Sequence, residues 1–320
     1  IYRQMDDDSK AYYRHLISVS AKRRNTTEYE LSKKYLEESR AHSGPVKNHI
    51  GYYILNDTSI TSKKTAGGKA YITLDILVPL LISITLGIFF KNLLLTLAVL
   101  LPLWEISRSL LLYIFLKATD RSYVPALALE DGVPDKGRTL CVITILVDSE
   151  KFTLEHIDYL EKYYLSNKKA GDNVHFGILA DFPDSVSQTA PSDAVILEKA
   201  HGAIDFLNKK YGNHFCFIHR ERSFNKRENS WIGRERKRGA IESLCELIRE
   251  GSSESICYGL DAERLSGVSY LITLDGDTKI MPGSIRKMVG SMLHPLNRAV
   301  VDSDKKCVVS GYGIMQPRAS

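Results

Sequence analysis

Hydrophobic and polar positions follow three different rhythms along the chain. Up to residue 69, "SKAYYRHLISVSAKRR" and "TEYELSKKYLEESRAHSG" repeat apolar residues at helical spacing. In the second stretch, Tyr29, Leu31, Tyr35 and Leu36 are expected to share one broad face, and Gly44-Pro45 to stop the helix. Residues 1–69 read as a small helical lead-in without a catalytic role, closed by a flexible joint at "TSKKTAGGK". Residues 70–118 lose this rhythm. Ile72 to Phe90 is an apolar run whose only charge is Asp75, long enough for a bilayer that needs roughly 20 such residues. Leu93 to Leu116 is a second run with Glu105 and Arg108 inside it. Those two can pair at i,i+3, or a bend at Pro102 can leave them at the membrane surface. Lys63, Lys64 and Lys69 precede the runs, and Lys117 and Arg121 follow them. Positive flanks at both ends predict a membrane helical hairpin with both ends in the cytoplasm.

Residues 119–320 alternate short apolar strands with amphipathic helices. "TLCVITILV", "VHFGILADFPD", "HFCFIHRER", "VSYLITLDGD" and "KCVVSGYGIMQPR" read as strands. The alternation predicts an α/β domain with a mostly parallel sheet, and such sheets bind ligands beyond the carboxyl ends of their strands. Asp181, Asp275 and Asp277 all fall on that edge. Asp275 and Asp277 flank Gly276 and point the same way from an extended chain, so they repel unless a cation or a donor lies between them. Hard carboxylate ligands suit Mg²⁺ or Mn²⁺, which complete their shells with phosphate oxygens. A nucleotide-sugar diphosphate is the natural third party, with the metal neutralising the leaving diphosphate. A second constellation, "RERKRGAIESL", places Arg236, Lys237 and Arg238 at a helix start, where cations and free N–H groups receive phosphate. A solvated basic face is the plain alternative for that run.

Composition narrows the picture only a little. The 25% charged and 44% apolar fractions are those of an ordinary globular chain, and a net charge of +5 requires no nucleic-acid partner. No recognisable nucleic-acid module accompanies the arginine run. The five cysteines are scattered without a C-x-x-C pair, so reduced thiols are expected, with no zinc site and no disulfide framework. The chain opens without Met or a signal pattern, and both ends read as cuts within something longer. A haloacid-dehalogenase-like phosphatase also ends a strand on D-x-D. Its usual Thr stands two residues after the second Asp, however, whereas Thr278 follows Asp277 at once.

"LADFPD", "RKRGAIESL" and "TLDGDT" together resemble a processive family-2-like glycosyltransferase of GT-A (Rossmann-like) fold. More closely, "NSWIGRERKRGAIESL", "YLITLDGDTKI", "SMLHPLNRAVVD" and "VVSGYGIMQPR" resemble the glycosyltransferase region of cyclic β-1,2-glucan synthases, and the lead-in resembles what precedes that region. The resemblance covers nearly the whole chain. It implies a bacterial inner-membrane, multi-pass protein with the transferase facing the cytoplasm. It also implies inverting, metal-dependent transfer of glucose from UDP-glucose to a growing β-glucan, with membrane lipid as a further partner and no nucleic acid. Residues 119–320 would be the donor-binding part of the GT-A domain, its sheet incomplete at the C-terminus. By the same resemblance Asp181 would contact uridine, Lys237 the diphosphate, Asp275 the ribose and metal, and Asp277 the metal. Ile143 stands where a Pro is expected, which bears on the uracil pocket, and Gly276 replaces the commoner Ala, an exchange expected to be harmless. The family's general base and acceptor-holding stretch lie further along than this chain reaches, and Asp302 and Asp304 read as solvated turn residues. The chain alone is therefore expected to be inactive. The competing expectation is a catalytically silent membrane scaffold for a glucan phosphorylase domain.

Overall fold

The computed structural model describes residues 1–44, 46–61, 64–118 and 123–317. Pro45, Lys63, Arg121 and Arg318, which figure in the sequence reading, lie outside that set. The chain divides into two compact units, one of Asp6–Pro125 and one of Ile1–Met5 with Ala126–Ser320.

In the first unit, α1 (Asp7–Arg24) starts on Asp6, whose carboxylate accepts from the Ser9 N–H at 2.9 Å. Next, α2 (Glu28–Arg40) starts on a capping box in which the Glu30 N–H donates to Thr27 Oγ1 and the Thr27 N–H to Glu30 Oε2, both at 3.2 Å. Leu31 and Tyr35 are buried, but Tyr29 and Leu36 are exposed, so the apolar face is narrower than expected. The neighbours of α2, namely α1 and α3 (Ile50–Leu55), cover only one stripe of it.

The module closes on one carboxylate. Asp57, just before α4 (Thr58–Thr61), is buried and accepts from Arg24 Nη2 at 2.5 Å, from the Ser59 N–H at 2.8 Å and from the Tyr35 hydroxyl. Burial alone would raise this carboxyl, but the bonds from Arg24, Tyr35 and Ser59 outweigh it and hold it below the usual carboxylate range. Asp57→Asn is expected to cost about 2 kcal/mol in a urea melt of the full chain; an unchanged midpoint would rule this out. Because the folded pKa is depressed, the contribution is complete above the unfolded value near ~3.9 and is lost as pH falls through the folded one.

The expected flexible joint is helical from Lys64, where α5 (Lys64–Phe89) begins. Ala and Lys favour helix, and the two glycines there do not outweigh the long run that follows. The hairpin is completed by α6 (Leu93–Ala118), with Lys91 left-handed in the turn and Asn92 Oδ1 accepting from the Leu95 N–H at 3.1 Å. Tyr71, Asp75, Pro79, Ser83 and Gly87, spaced four apart, form the covered stripe of α5. Ser83 Oγ donates to the Thr96 carbonyl at 2.6 Å, and Tyr71 meets Phe115 edge-on at 5.3 Å. Small residues thus let the two helices approach. Glu105 and Arg108 are exposed and, among the described residues, do not pair. Residues 68–89 and 93–117 are apolar and long enough to cross a membrane, and protein covers little of either. Membrane association, rather than a place in a protein core, accounts for both helices.

The second unit is a three-layer α/β sandwich. Its sheet has the order β6-β3-β2-β1-β7, formed by β1 (Thr139–Leu146), β2 (Val174–Asp181), β3 (Phe215–Arg220), β6 (Ser255–Tyr258) and β7 (Tyr270–Asp275). The β1–β2, β2–β3 and β1–β7 pairings are parallel, and β6 is an antiparallel edge. Alternate residues of the strands feed two cores. Cys141, Ile143, Ile145, Phe176 and Ile178 pack with α7 (Glu150–Ser166) and α8 (Pro191–Tyr211). On the other face, Leu140, Val142, Leu179 and Ile218 pack with α9 (Arg236–Glu250) and α10 (Ala262–Ser266). Every residue of β2 is buried, as both-faced parallel strands require.

Three features were not in the sequence reading: the short hairpin of β4 (Ser223–Asn225) and β5 (Ser230–Ile232), the antiparallel β6, and the placement of the last strand. "KCVVSGYG" does not join the main sheet. Its strand β9 (Cys307–Ser310) pairs with β8 (Val300–Asp302) in a separate ribbon after α11 (Ser284–Leu293).

Candidate active site

Successive strands run from β1 outward to β3 in one direction, and β7 lies on the other side of β1. The switch point is therefore at the carboxyl ends of β1 and β7, where open α/β sheets bind ligands. Asp181 ends β2 beside Leu146, and Asp275 ends β7 beside Thr144. The two acids flank β1, so two strand spacings, roughly 10 Å, separate their strands.

Asp181 is buried and held by a bidentate partner. Arg220, at the end of β3, donates Nε to its Oδ1 at 2.6 Å and Nη2 to its Oδ2 at 2.8 Å. This bidentate pair leaves each carboxylate oxygen a further acceptor position. The turn from Gly233 to Gly239 lies against it. A methyl on Gly233 would stand 3.0 Å from Asp181 Oδ2, and one on Gly239 would stand 2.1 Å from the Arg234 carbonyl oxygen. Between these glycines Glu235 and Arg236 are both left-handed, at φ 54° and 50°, and α9 starts with no side-chain cap. The turn brings Lys237 to Asp275, with which it forms an ion pair, both side chains being largely exposed. Sequence reasoning placed Lys237 and Asp275 in one site, and the structure brings them into contact. Arg236 turns away to Asp184 at 2.8 Å, and Arg238 lies along its own helix on Glu242 at 3.0 Å.

Asp277 is exposed and, among the described residues, has no partner. Its loop is held from below. The Thr278 N–H donates to the Asp275 carbonyl at 2.9 Å, and the Tyr163 hydroxyl donates to the Thr278 carbonyl at 2.7 Å. His156 Nδ1 donates to the Phe152 carbonyl at 2.8 Å, and the ring's other nitrogen is Nε2. A methyl on Gly276 would stand 3.2 Å from that Nε2. Glycine is thus accommodated at this position, and it is the commoner Ala that would be a tight fit here. Gly276→Ala is expected to cost about 1 kcal/mol in a thermal melt of the full chain, and a small-to-alanine change of no effect would show that the ring yields freely. Neither His156 nor Tyr163 was singled out in the sequence. Both lie on the buried face of α7, where their spacing reads as core.

Among the described residues no three His, Cys, Asp or Glu side chains converge. A preformed all-protein cage for a metal is therefore not what these residues make. The extended chain expected through Asp277 ends at Asp275, because Gly276 and Asp277 enter the turn closed by the Thr278 N–H, so the two carboxylates do not share one face of a strand. One or two carboxylates with substrate phosphates completing the shell is the usual Mg²⁺ arrangement, and the exposed acids Asp275 and Asp277 are of the chemistry it uses. Asp302 caps its own turn, accepting from the Asp304 and Lys305 N–H groups, both at 3.0 Å.

The fold class these observations define is α/β with a mostly parallel sheet and a charged carboxyl edge. No family model matches the chain. It is 37% identical over 194 residues to the cyclic beta-(1,2)-glucan synthase NdvB of Rhizobium meliloti (strain 1021). The match covers 59% of this chain and 7% of that protein's length. The family resemblance read from the motifs is borne out by this similarity, over 59% of the chain rather than the nearly whole length expected.

Proposed function

We propose that this chain is the donor-binding region of a membrane glycosyltransferase of GT-A fold that builds a β-1,2-glucan from UDP-glucose. The observation that carries the reading is the Lys237–Asp275 contact at the switch point, with Asp277, unpartnered among the described residues, two residues on, in a chain 37% identical over 194 residues to a glucan synthase. Asp181, oriented by Arg220, offers acceptor positions to the N–H of a uracil ring. Lys237 would meet the diphosphate, and its ion pair with Asp275 supports that reading. Asp277 and Asp275 would hold Mg²⁺ or Mn²⁺. The ion would supply charge neutralisation as the diphosphate departs. Inverting transfer also needs a base for the acceptor hydroxyl, and no described acid is arranged for it. On this reading the chain binds donor, and elongation belongs to the longer parent.

Titration of UDP-glucose into the detergent-solubilised chain, with and without Mn²⁺, tests the reading. Binding that depends on Mn²⁺ is expected. A folded sample that binds neither way would overturn the donor site and favour the scaffold alternative.

A further inference from the structure

Two arginines stand at the carboxyl end of β3, and they grip different things. Arg222 donates to Asp193 Oδ2 in the first turn of α8 at 2.5 Å and, in the β2–α8 connection, to the Pro183 carbonyl at 2.6 Å and the Gln188 carbonyl at 3.0 Å. Arg220 spans two separate segments. It holds Asp181 at the end of β2 through two bonds and, through Nη2, the Arg236 carbonyl at 2.9 Å. Both guanidinium groups are almost wholly buried, so neither is a surface pair screened by solvent.

We propose that Arg220 is the positioning residue of the donor site, fixing Asp181 and the Lys237-bearing turn in one step. The role rests on the donor-site reading above. The turn it holds is one the backbone does not choose by itself. Glu235 and Arg236 are consecutive left-handed residues with side chains, a conformation that persists only where surroundings enforce it. Within the turn, the Arg236 N–H donates to the Gly233 carbonyl at 3.1 Å and the Gly239 N–H to the Glu235 carbonyl at a long 3.4 Å. The bond from Arg220 to the Arg236 carbonyl comes from outside the turn and ties it to β2 and β3. A planar fork with donors in two directions is needed for this, and an ammonium group cannot reproduce it. Released from that bond, the turn relaxes toward the right-handed region and Lys237 is re-aimed away from Asp275.

The test compares Arg220→Lys with Arg222→Lys in the full detergent-solubilised chain. Three quantities are read: the thermal midpoint, UDP-glucose affinity with Mn²⁺, and the rate of trypsin cleavage between Arg234 and Arg238. Both variants lower the midpoint. Arg220→Lys is expected to weaken UDP-glucose binding by about tenfold or more and to speed cleavage in the turn by a similar factor, because a lost bidentate fork costs specificity as well as energy. Arg222→Lys is expected to leave both within about twofold, since its bonds miss the turn. Equal behaviour of the two variants, or an Arg220→Lys protein with wild-type affinity and cleavage, overturns the proposal. A wild-type chain that binds no UDP-glucose removes the donor-site reading and this role with it, whatever trypsin shows. Should Arg220→Lys not fold, the paired change Asp181→Leu with Arg220→Met removes both buried charges together. Turn cleavage then reports the same dependence, and wild-type resistance in that pair overturns the proposal.

Discussion

Asp277→Asn is expected to abolish Mn²⁺-dependent UDP-glucose binding, weakening it by roughly 100-fold or more. Partners one shell beyond a metal already cost 10- to 100-fold when removed, and a direct carboxylate ligand costs at least that. The same substitution should leave stability within about 0.5 kcal/mol, because Asp277 is exposed and supports nothing else in the fold. Calorimetry and a thermal melt on one sample separate the two effects. A variant that melts normally and still binds donor with metal would remove Asp277 from the site. Asp275→Asn makes a useful contrast, since it also frees Lys237 from its partner and therefore disturbs binding even without metal.

The second large effect is on the fold. Asp181→Ala leaves the Arg220 guanidinium buried without its carboxylate, and breaking such a pair typically costs about 3–5 kcal/mol. The pair is almost fully enclosed, so solvent offers the stranded charge little relief. Urea unfolding followed through Trp231, which lies in the β4–β5 hairpin of the same unit, reads this directly. Adding Arg220→Met to Asp181→Leu should recover most of the loss, because removing both charges removes the desolvation penalty as well. A single variant as stable as wild type would mean that water reaches the pair.

Much of this was legible in the sequence, and the reasons differ by element. Continuous apolar runs gave β1, β2 and β3, because strands covered on both faces have no polar side to show, and the short run "YLITL" gave β7, which lies at the sheet edge and is only partly covered. The strand-end acids placed Asp181 and Asp275 on one edge before any coordinates. What did not show was the identity of long-range partners. Nothing in "CFIHRER" says that its first arginine reaches 39 residues back to Asp181, since periodicity reports which face is buried and not what it meets. That an Ala at 276 would be crowded did not show either, because His156 approaches from α7, a helix distant in sequence. The joint near residue 64 was misread for a simpler reason. Two glycines signal a break locally, whereas helix growth from a long apolar run is cooperative.

The sheet order also sets a timetable. Thr139 pairs with Val174 on one side and with Tyr270 on the other, so the first pairing closes a loop of about 35 residues and the second a loop of about 131. On chain entropy alone the second closure is dearer by about 1.2 kcal/mol, and during synthesis β7 emerges long after β1, β2 and β3. Pulsed amide exchange during refolding should therefore protect β2 before β7. The half of the edge that holds Asp181 is then in place while the chain is still growing, and the carboxylates proposed for the cation arrive last, onto a surface already built.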